Sequence, residues 1–396
     1  MIYVHIPFCR SFCTYCDFYS EVAGRCRSKE DVLKQEAMFG KFADALIREI
    51  EHRAGEISDE VNTLYIGGGT PSVLPLRVLE RILDALRRCG HGGPFDEFTI
   101  EVNPEDIVDK GQEYVSGLLK LGVTRVSMGV QSFDDGILKF MNRRHNADAA
   151  RKAYEMLECA GVENISIDLI FGLPQLSDSQ WQDTLDKALS ISPSGRLPEH
   201  ISSYQLSVEP GSMLAKLVEK GKWNEASEEL CERQYRMLCK TLRDAGYVHY
   251  EISNFALPGY EAKHNSAYWR HVPYVGLGPG AHSFISTRSV STTASGEACG
   301  SFFRIWNQAH LEKYLEDPTG VSDGEELNEE QVAIERVMLA LRTSDGIEES
   351  YLHEHCDQEQ LARAFASGSL VRLDRGMVRI PESKFFVSDS IISDII

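Results

Sequence analysis

Short apolar runs rich in β-branched and aromatic residues alternate with longer amphipathic segments over the N-terminal part of this 396-residue chain. Runs of about four to eight such residues are typical of strands, whereas apolar residues spaced three and four apart indicate helices. Repeated strand and helix units predict an α/β protein with a parallel sheet, and about six units predict a full or partial β/α barrel. The predicted strands are Met1–Ile6, Val61–Ile66, Glu97–Val102, Thr124–Met128, Asn164–Ile170 and His200–Gln205, with a further strand near Tyr250–Phe255. The predicted helices are Val32–Arg53, Leu76–Arg88, Glu113–Leu121, Ala147–Ala160, Ser179–Ile191 and Glu228–Ala245.

The C-terminal region has a different pattern. A stretch rich in Ser, Thr and Gly, Ser286–Ser301, predicts a linker, and short helical patterns follow it. The apolar runs Leu370–Leu373 and Met377–Ile380 flank an Asp-Arg-Gly turn and predict a hairpin. Helices followed by a hairpin indicate a small α+β domain of winged-helix type. We therefore predict a barrel over residues 1–284 and a linker with this smaller domain over residues 285–396.

The charge balance excludes one class of partner. The chain has 41 Lys and Arg residues against 60 Asp and Glu residues, a net charge of −19. This excess of negative charge argues against a nucleic-acid-binding protein that depends on phosphate attraction. No run of about 18 apolar residues is present, and a strand pattern follows Met1 where a signal peptide would have an apolar core. We expect a cytoplasmic protein.

Three cysteines near the N-terminus, Cys9, Cys13 and Cys16, have the spacing C-x3-C-x2-C. Three thiolates on one short loop can bind three irons of a four-iron cluster and leave the fourth iron open. An open iron is what S-adenosylmethionine (SAM) requires before it can be cleaved reductively. A disulfide knot or a zinc site is less consistent with this spacing than a cluster is. A disulfide knot needs paired cysteines, and a zinc site needs a fourth ligand such as His5. The other seven cysteines show no pairing pattern.

Polar motifs directly follow the predicted strands, where a β/α barrel has its active site. A Gly-Gly-Gly-Thr-Pro motif follows the second strand, and Glu101, Gln131, Arg143 and Asp168 lie at or near later strands. Glycines let a backbone approach a ligand closely, and carboxylates and Arg bind hydroxyl, ammonium or carboxylate groups. Two alternatives remain open at this point. The glycines can form a tight turn from strand to helix, and Arg143 can lie at a solvated helix end.

These motifs together resemble the radical SAM branch that contains oxygen-independent coproporphyrinogen III oxidase and its relative, the haem chaperone HemW. The resemblance extends from Met1 to about Phe284 and includes the motifs Glu-Val-Asn-Pro-Glu, Gly-Val-Gln-Ser-Phe and Ile-Asp-Leu-Ile-Phe-Gly-Leu-Pro. It implies a radical SAM barrel and a 4Fe–4S cluster held by Cys9, Cys13 and Cys16. The SAM contacts that it implies are Tyr3, Tyr15, Gly68, Gly69, Thr70, Glu101, Gln131, Arg143 and Asp168.

Two departures from the oxidase pattern favour the HemW side. The oxidase has a fourth cysteine two positions after the third, where this chain reads Asp17-Phe18, and it has a longer segment before the cysteine loop. The segment His264–Trp269 matches the His-Asn-x-x-Tyr-Trp signature that is associated in this family with haem binding. The resemblance implies that His264 binds haem within a segment from 264 to 283. His282, in the glycine-rich stretch that follows, is a competing candidate for the ligand.

The resemblance implies a haem chaperone that transfers haem to an acceptor protein and carries a SAM-binding cluster. The expected partners are haem, the acceptor and an electron donor, and a transient contact with a membrane protein also fits, because haem acceptors are often membrane proteins. The alternative is a radical SAM decarboxylase of coproporphyrinogen III, which shares every SAM motif. A cluster with a purely structural or regulatory role is a third interpretation.

Overall fold

The computed structural model describes residues 1–24, 28–58, 61–287 and 301–396. The strands are β1 (Ile2–Ile6), β2 (Phe8–Cys9), β3 (Glu21–Val22), β4 (Thr63–Gly68), β5 (Glu97–Val102), β6 (Arg125–Gln131), β7 (Ile165–Phe171), β8 (His200–Gln205), β9 (Val248–Glu251), β10 (Asn254–Ala256), β11 (Val275–Leu277), β12 (His282–Thr287), β13 (Ser301–Asn307), β14 (Ser322–Leu327), β15 (Ile347–Glu348), β16 (Val371–Arg372) and β17 (Met377–Arg379). The helices are α1 (Lys29–Arg53), α2 (Leu76–Arg88), α3 (Pro104–Leu121), α4 (Asp135–Phe140), α5 (Ala147–Cys159), α6 (Asp178–Leu189), α7 (Met213–Glu219), α8 (Glu228–Asp244), α9 (Lys263–Trp269), α10 (Leu311–Glu316), α11 (Glu329–Ala340), α12 (Glu349–His355), α13 (Gln358–Ala366) and α14 (Ser388–Ile395).

The main sheet is a partial barrel. Its strand order is β11-β1-β4-β5-β6-β7-β8-β10-β9, and the six neighbouring strands from β1 to β8 are all parallel. These are the six strands that the sequence predicts. The seventh predicted strand is a hairpin of β9 and β10, which extends the sheet in antiparallel fashion. The predicted α/β barrel is confirmed, and its parallel strands end at the same edge of the sheet.

The helices pack apolar stripes on the outside of this sheet. Phe42, Leu46 and Ile50 of α1 recur every four residues and are fully buried, as expected for one face of an amphipathic helix. Ser28 begins this helix by accepting a hydrogen bond from the Asp31 backbone N–H, and the Asp31 carboxylate accepts one from the Ser28 N–H. Each large apolar side chain buried in this way contributes about 1.5–3 kcal/mol.

The C-terminal region contains two small sheets. Strands β12, β13 and β14 form an antiparallel sheet, and β15, β17 and β16 form another beside α11, α12 and α13. The predicted hairpin is β16 and β17, so the winged-helix-like pattern of helices followed by a hairpin is present. Most of the predicted linker, residues 288–300, lies outside the described residues. The predicted boundary after residue 284 falls within β12, and the division into two domains stays a prediction. Among the described residues, no helix has both the length and the hydropathy that crossing a membrane requires.

Candidate radical SAM site

A cavity of about 460 Å³ opens at the carboxyl ends of the parallel strands. It is bounded by the cysteine loop on one side and by the ends of β4 to β8 on the other. Pockets of this size are typical of sites for small molecules. Eleven of the thirteen residues predicted for the cluster, SAM and haem line it: Cys9, Cys13, Tyr15, Cys16, Gly68, Gly69, Thr70, Glu101, Gln131, Arg143 and Asp168.

The cysteine loop is fixed by backbone hydrogen bonds. Strand β2 pairs with β3, and the Ala23 N–H donates to the Cys9 carbonyl at 2.9 Å. In the middle of the loop, the Thr14 N–H donates to the Met141 carbonyl at 3.2 Å. Because these bonds tie both parts of the loop to the barrel, the three thiols have defined positions on the cavity wall.

The donor set fits a multi-iron cluster better than a single ion. Among the described residues, no three His, Cys, Asp or Glu side chains are arranged to hold one metal ion. A cluster binds each cysteine at a separate iron, so its ligands are further apart than those of one ion. Burial raises the pKa of Cys16 to about 12 and also raises the pKa of Cys9, so these free thiols are protonated at neutral pH. Iron binding must therefore displace their protons.

Arg143 lies in the cavity and not at a solvated helix end. Its guanidinium donates to Asn103 Oδ1 at 2.6 Å and to the Gly129 carbonyl at 2.7 Å, and it lies 3.4 Å from Cys13 Sγ. Its Nε is buried and has no hydrogen-bond partner among the described residues. A buried donor without a partner indicates a missing ligand, and a guanidinium is well suited to a carboxylate.

The glycine motif packs against the cysteine loop as well as against the cavity. A Cβ on Gly69 would lie 2.8 Å from the Phe8 carbonyl oxygen, and one on Gly68 would lie 2.7 Å from the His5 ring. Gly68 also has φ +105°, a conformation that favours glycine. The tight turn between strand and helix is therefore real, and it positions Thr70 Oγ1 3.5 Å from Cys9 Sγ.

Two carboxyl groups, Glu101 and Asp168, also line this cavity. Glu101 accepts hydrogen bonds from the Tyr65 hydroxyl at 2.7 Å and the Gly68 N–H at 3.1 Å, and Asp168 accepts one from Ser127 at 3.1 Å. Burial raises the pKa of Glu101 to about 7 and that of Asp168 to about 6, because it outweighs these hydrogen bonds. Both groups are therefore suited to a ligand that supplies hydroxyl or ammonium donors.

We expect Glu101→Gln to flatten the pH dependence of stability between pH 4.5 and 7 in the SAM-free protein. The folded wild type keeps the Glu101 proton up to a pKa of about 7, whereas the unfolded chain loses it near the ordinary glutamate pKa of 4.5. The stability of the wild type therefore falls as pH rises through this interval and levels off above it. Gln does not ionise, so the variant lacks this loss. Urea unfolding at a series of pH values measures both slopes.

Asp168, whose pKa is also raised, leaves a residual slope in this variant. Glu113→Gln is the matched control, since Glu113 is exposed on α3 and outside the cavity. The free energy of unfolding of Glu113→Gln should change with pH as steeply as that of the wild type. Parallel curves for Glu101→Gln and the wild type would show that the Glu101 carboxyl is not desolvated.

Sequence reasoning missed several polar side chains of the cavity wall. Tyr65, Arg125, Ser127, Ser202 and Asn265 also line it. The signal was present in the strands: polar residues at alternate positions of otherwise apolar strands share one face. Arg125, Ser127 and Gly129 of β6 follow this period of two, and all three face the cavity.

Two predicted site residues lie elsewhere. Tyr3 is not part of this cavity; its hydroxyl lies 3.0 Å from His5 Nδ1, and its side chain lines a second cavity. His264 is fully buried, with Nδ1 2.8 Å from Thr63 Oγ1 and Nε2 3.0 Å from the hydroxyl oxygen of Tyr268 on the same helix. Both nitrogens of His264 are thus engaged by the protein, and it offers none to haem iron in this conformation. The roles of Tyr3 and His264 stay predictions.

The sequence is similar to known proteins over most of its length. Residues 3–188 match the radical SAM superfamily. The Heme chaperone HemW of Synechocystis sp. is 34% identical over 345 residues, which cover 87% of this chain and 78% of that protein. The chain belongs to the HemW family. Another member, the Heme chaperone HemW of Bacillus subtilis, is 30% identical over 389 residues, or 98% of this chain and 94% of that protein.

A solved structure supports the fold of this HemW family member. Coproporphyrinogen III oxidase (HemN) from Escherichia coli, a radical SAM enzyme, aligns with 99% of this chain and 89% of its own, with a TM-score of 0.76. At 22% identity, this similarity shows the fold alone. The predicted radical SAM barrel and the resemblance to HemW are confirmed.

Proposed function

We propose that this protein is a haem chaperone that binds haem and transfers it to an acceptor protein, with a 4Fe–4S cluster and SAM in the first cavity. The similarity to HemW proteins over most of the chain carries this proposal. The predicted electron donor and cytoplasmic location, and the lack of a nucleic-acid partner, belong to the same proposal. A contact with a membrane protein has no support among the described residues.

The residues of the cavity divide into two sets by chemistry. Cys9, Cys13 and Cys16 would hold the cluster, and SAM bound to an open iron would supply organic radical chemistry. Arg143 can orient a carboxylate near Cys13, because its guanidinium lies beside that sulfur and its Nε is unpaired among the described residues. Glu101 and Asp168 of the same cavity can accept hydrogen bonds from hydroxyl groups. These two sets favour binding of the amino acid part of SAM beside Arg143 and of its nucleoside part beside the carboxyl groups.

An anaerobic haem titration of the cluster-loaded protein tests the function. We expect a complex of one haem per chain that survives gel filtration, followed by loss of haem from the protein when an acceptor is present. An assay for decarboxylation of coproporphyrinogen III distinguishes the chaperone from the enzyme alternative. We expect no decarboxylation by the cluster-loaded protein under reducing conditions with SAM. Free haem after gel filtration would contradict the chaperone, and turnover of coproporphyrinogen would favour the oxidase.

A further inference from the structure

Asn103 lines the first cavity, and neither the cluster ligands nor the predicted SAM contacts include it. It belongs to the Glu-Val-Asn-Pro-Glu motif and lies directly after β5, at the N-cap of α3. An asparagine at this position ordinarily accepts a hydrogen bond from the first turn of the helix through its side chain. The Asn103 side chain makes no such bond. Helix capping therefore does not account for its amide.

The two ends of this amide contact the two side chains that lie beside cluster cysteines. Asn103 Nδ2 donates to Thr70 Oγ1 at 3.2 Å. Thr70 Oγ1 in turn lies 3.5 Å from Cys9 Sγ. Asn103 Oδ1 accepts a hydrogen bond from Arg143 at 2.6 Å, and Arg143 Nη1 lies 3.4 Å from Cys13. One side chain thus connects the hydrogen-bond donors of two sulfur atoms.

The chemistry of these groups fixes the direction of each hydrogen bond. Arg143 can only donate, so it requires the oxygen of the Asn103 amide and leaves the NH₂ group for Thr70. Because the Thr70 oxygen accepts from this NH₂ group, its own proton is free to point at Cys9, which as a thiolate ligand can only accept. Hydrogen bonds to cluster sulfurs stabilise the reduced cluster, which has the more negative charge, and so raise its reduction potential.

The backbone of Asn103 is held independently of its side chain. Its N–H donates to Ser72 Oγ at 3.1 Å, and the Ser72 hydroxyl donates to Asp106 Oδ2 at 2.8 Å. The buried Asp106 carboxylate also lies 3.0 Å from Nε of Arg10, the residue after Cys9. Replacement of the amide therefore leaves the start of α3 attached to the cysteine loop.

We infer that Asn103 is a positioning residue that sets the reduction potential of the cluster. It holds the Thr70 hydroxyl toward Cys9. It also holds the Arg143 guanidinium toward Cys13. This inference rests on the cluster of the proposed function and does not depend on haem binding. A role of Asn103 in folding alone would leave the potential unchanged.

Redox titration of the cluster-loaded full chain without SAM, followed by EPR of the reduced cluster, tests the inference. At a fixed potential, we expect the ratio of reduced to oxidised cluster to be roughly three- to tenfold lower in Asn103→Ala than in the wild type, which lowers the midpoint by about 30–60 mV for a one-electron couple. Iron and sulfide per chain should equal those of the wild type, because the three cysteines are intact.

Asn62→Ala is the matched control for the loss of an amide. Asn62 is exposed and lies outside the first cavity, and its side chain donates a hydrogen bond to the Pro94 carbonyl at 2.7 Å. This variant also loses a side-chain hydrogen bond, but none that leads to a cluster sulfur. Its cluster should have the potential of the wild type.

Thr70→Val tests the contact with Cys9 separately, because valine has the shape of threonine without the hydroxyl. Its cluster potential should also be lower than that of the wild type. In a Thr70→Val background, Asn103→Ala should shift the potential less than it does in the wild type, since only the contact with Arg143 remains to be lost. Equal shifts in the two backgrounds would contradict the inference.

Failure of the inference can be distinguished from failure of the proposed function. If the wild type takes up no iron and sulfide, the cluster proposal and the inference both fail. If Asn103→Ala retains the cluster at the potential of the wild type, the cluster proposal stands and the inference is overturned. Loss of the cluster from Asn103→Ala, with Thr70→Val at the wild-type potential, would also overturn it, because Asn103 would then be needed to hold the cluster and not to set its potential.

Discussion

Simultaneous replacement of Cys9, Cys13 and Cys16 by Ala is expected to abolish iron and sulfide binding while the chain still folds. These three thiols line one cavity, and the loop that carries them is held by backbone hydrogen bonds that do not involve the side chains. Cysteine to alanine removes a single sulfur atom, so the cost in stability is small beside the loss of all cluster ligands. SAM binding should be lost as well, because its iron anchor is absent. Iron and sulfide per chain, and calorimetry with SAM, measure these losses.

A second triple variant, with Cys89, Cys159 and Cys356 replaced by Ala, controls for the number of thiols removed. These cysteines are free, and none of them lines the first cavity. This variant should retain iron, sulfide and SAM binding at the level of the wild type. Retention of a full cluster by the first variant, or its loss from the second, would contradict the assignment of the ligands.

The barrel was predictable because each of its strands has a strong local signal. Strand β7 is buried along nearly its whole length and its sequence is mostly apolar, whereas β5 alternates apolar residues with Glu97, Thr99 and Glu101, and both patterns are typical of strands. The grouping of Cys9, Cys13 and Cys16 in one cavity was predictable for a similar reason, since the three cysteines lie within one short segment. Sites composed of residues close in sequence need no knowledge of tertiary contacts.

The second cavity was not predictable in this way. Its wall combines residues from β1, the cysteine loop, α9 and the β12–β13 pair, which lie up to about 300 residues apart. The His264 signature also gave no information about exposure. Its helical segment places the imidazole against Tyr65, with ring centroids 5.2 Å apart, where Thr63 and Tyr268 engage both nitrogens. Burial of this kind depends on the contacts of α9 with β4, which a local motif does not specify.

The glycine motif has a structural role besides the predicted contact with a ligand. From the sequence, the three glycines were expected to allow close approach to a ligand. In the structure, Gly68 and Gly69 approach the protein itself, at the His5 ring and at the carbonyls of Phe8 and Ile6. The motif therefore also couples the end of β4 to the strand that leads into the cysteine loop.

Replacing Gly69 by Ala is therefore expected to lower the free energy of unfolding by about 2 kcal/mol and to reduce cluster content. The alanine Cβ at position 69 would lie 2.8 Å from the Phe8 carbonyl oxygen and 3.0 Å from the Ile6 carbonyl oxygen. Both are backbone atoms, so no side-chain rotation relieves the contact. The Gly69 N–H also donates to the Ile6 carbonyl at 2.8 Å, and a shift that relieves the clash would weaken this bond and move Cys9, which follows Phe8. Urea unfolding of the cluster-free protein and iron per chain measure the two effects.

Gly40→Ala provides a control with the opposite expected sign. Gly40 lies within α1, and a Cβ there would meet nothing within 4 Å. Alanine in a helix interior is more favourable than glycine by roughly 0.5–1 kcal/mol, so this variant should be stabilised and should retain its cluster. If Gly69→Ala matched the wild type in both stability and iron content, the loop would have room to move, and the contact with the Phe8 carbonyl would not constrain the position of Cys9. A loss of iron without a loss of stability would instead show that the contact acts on the cysteine loop alone.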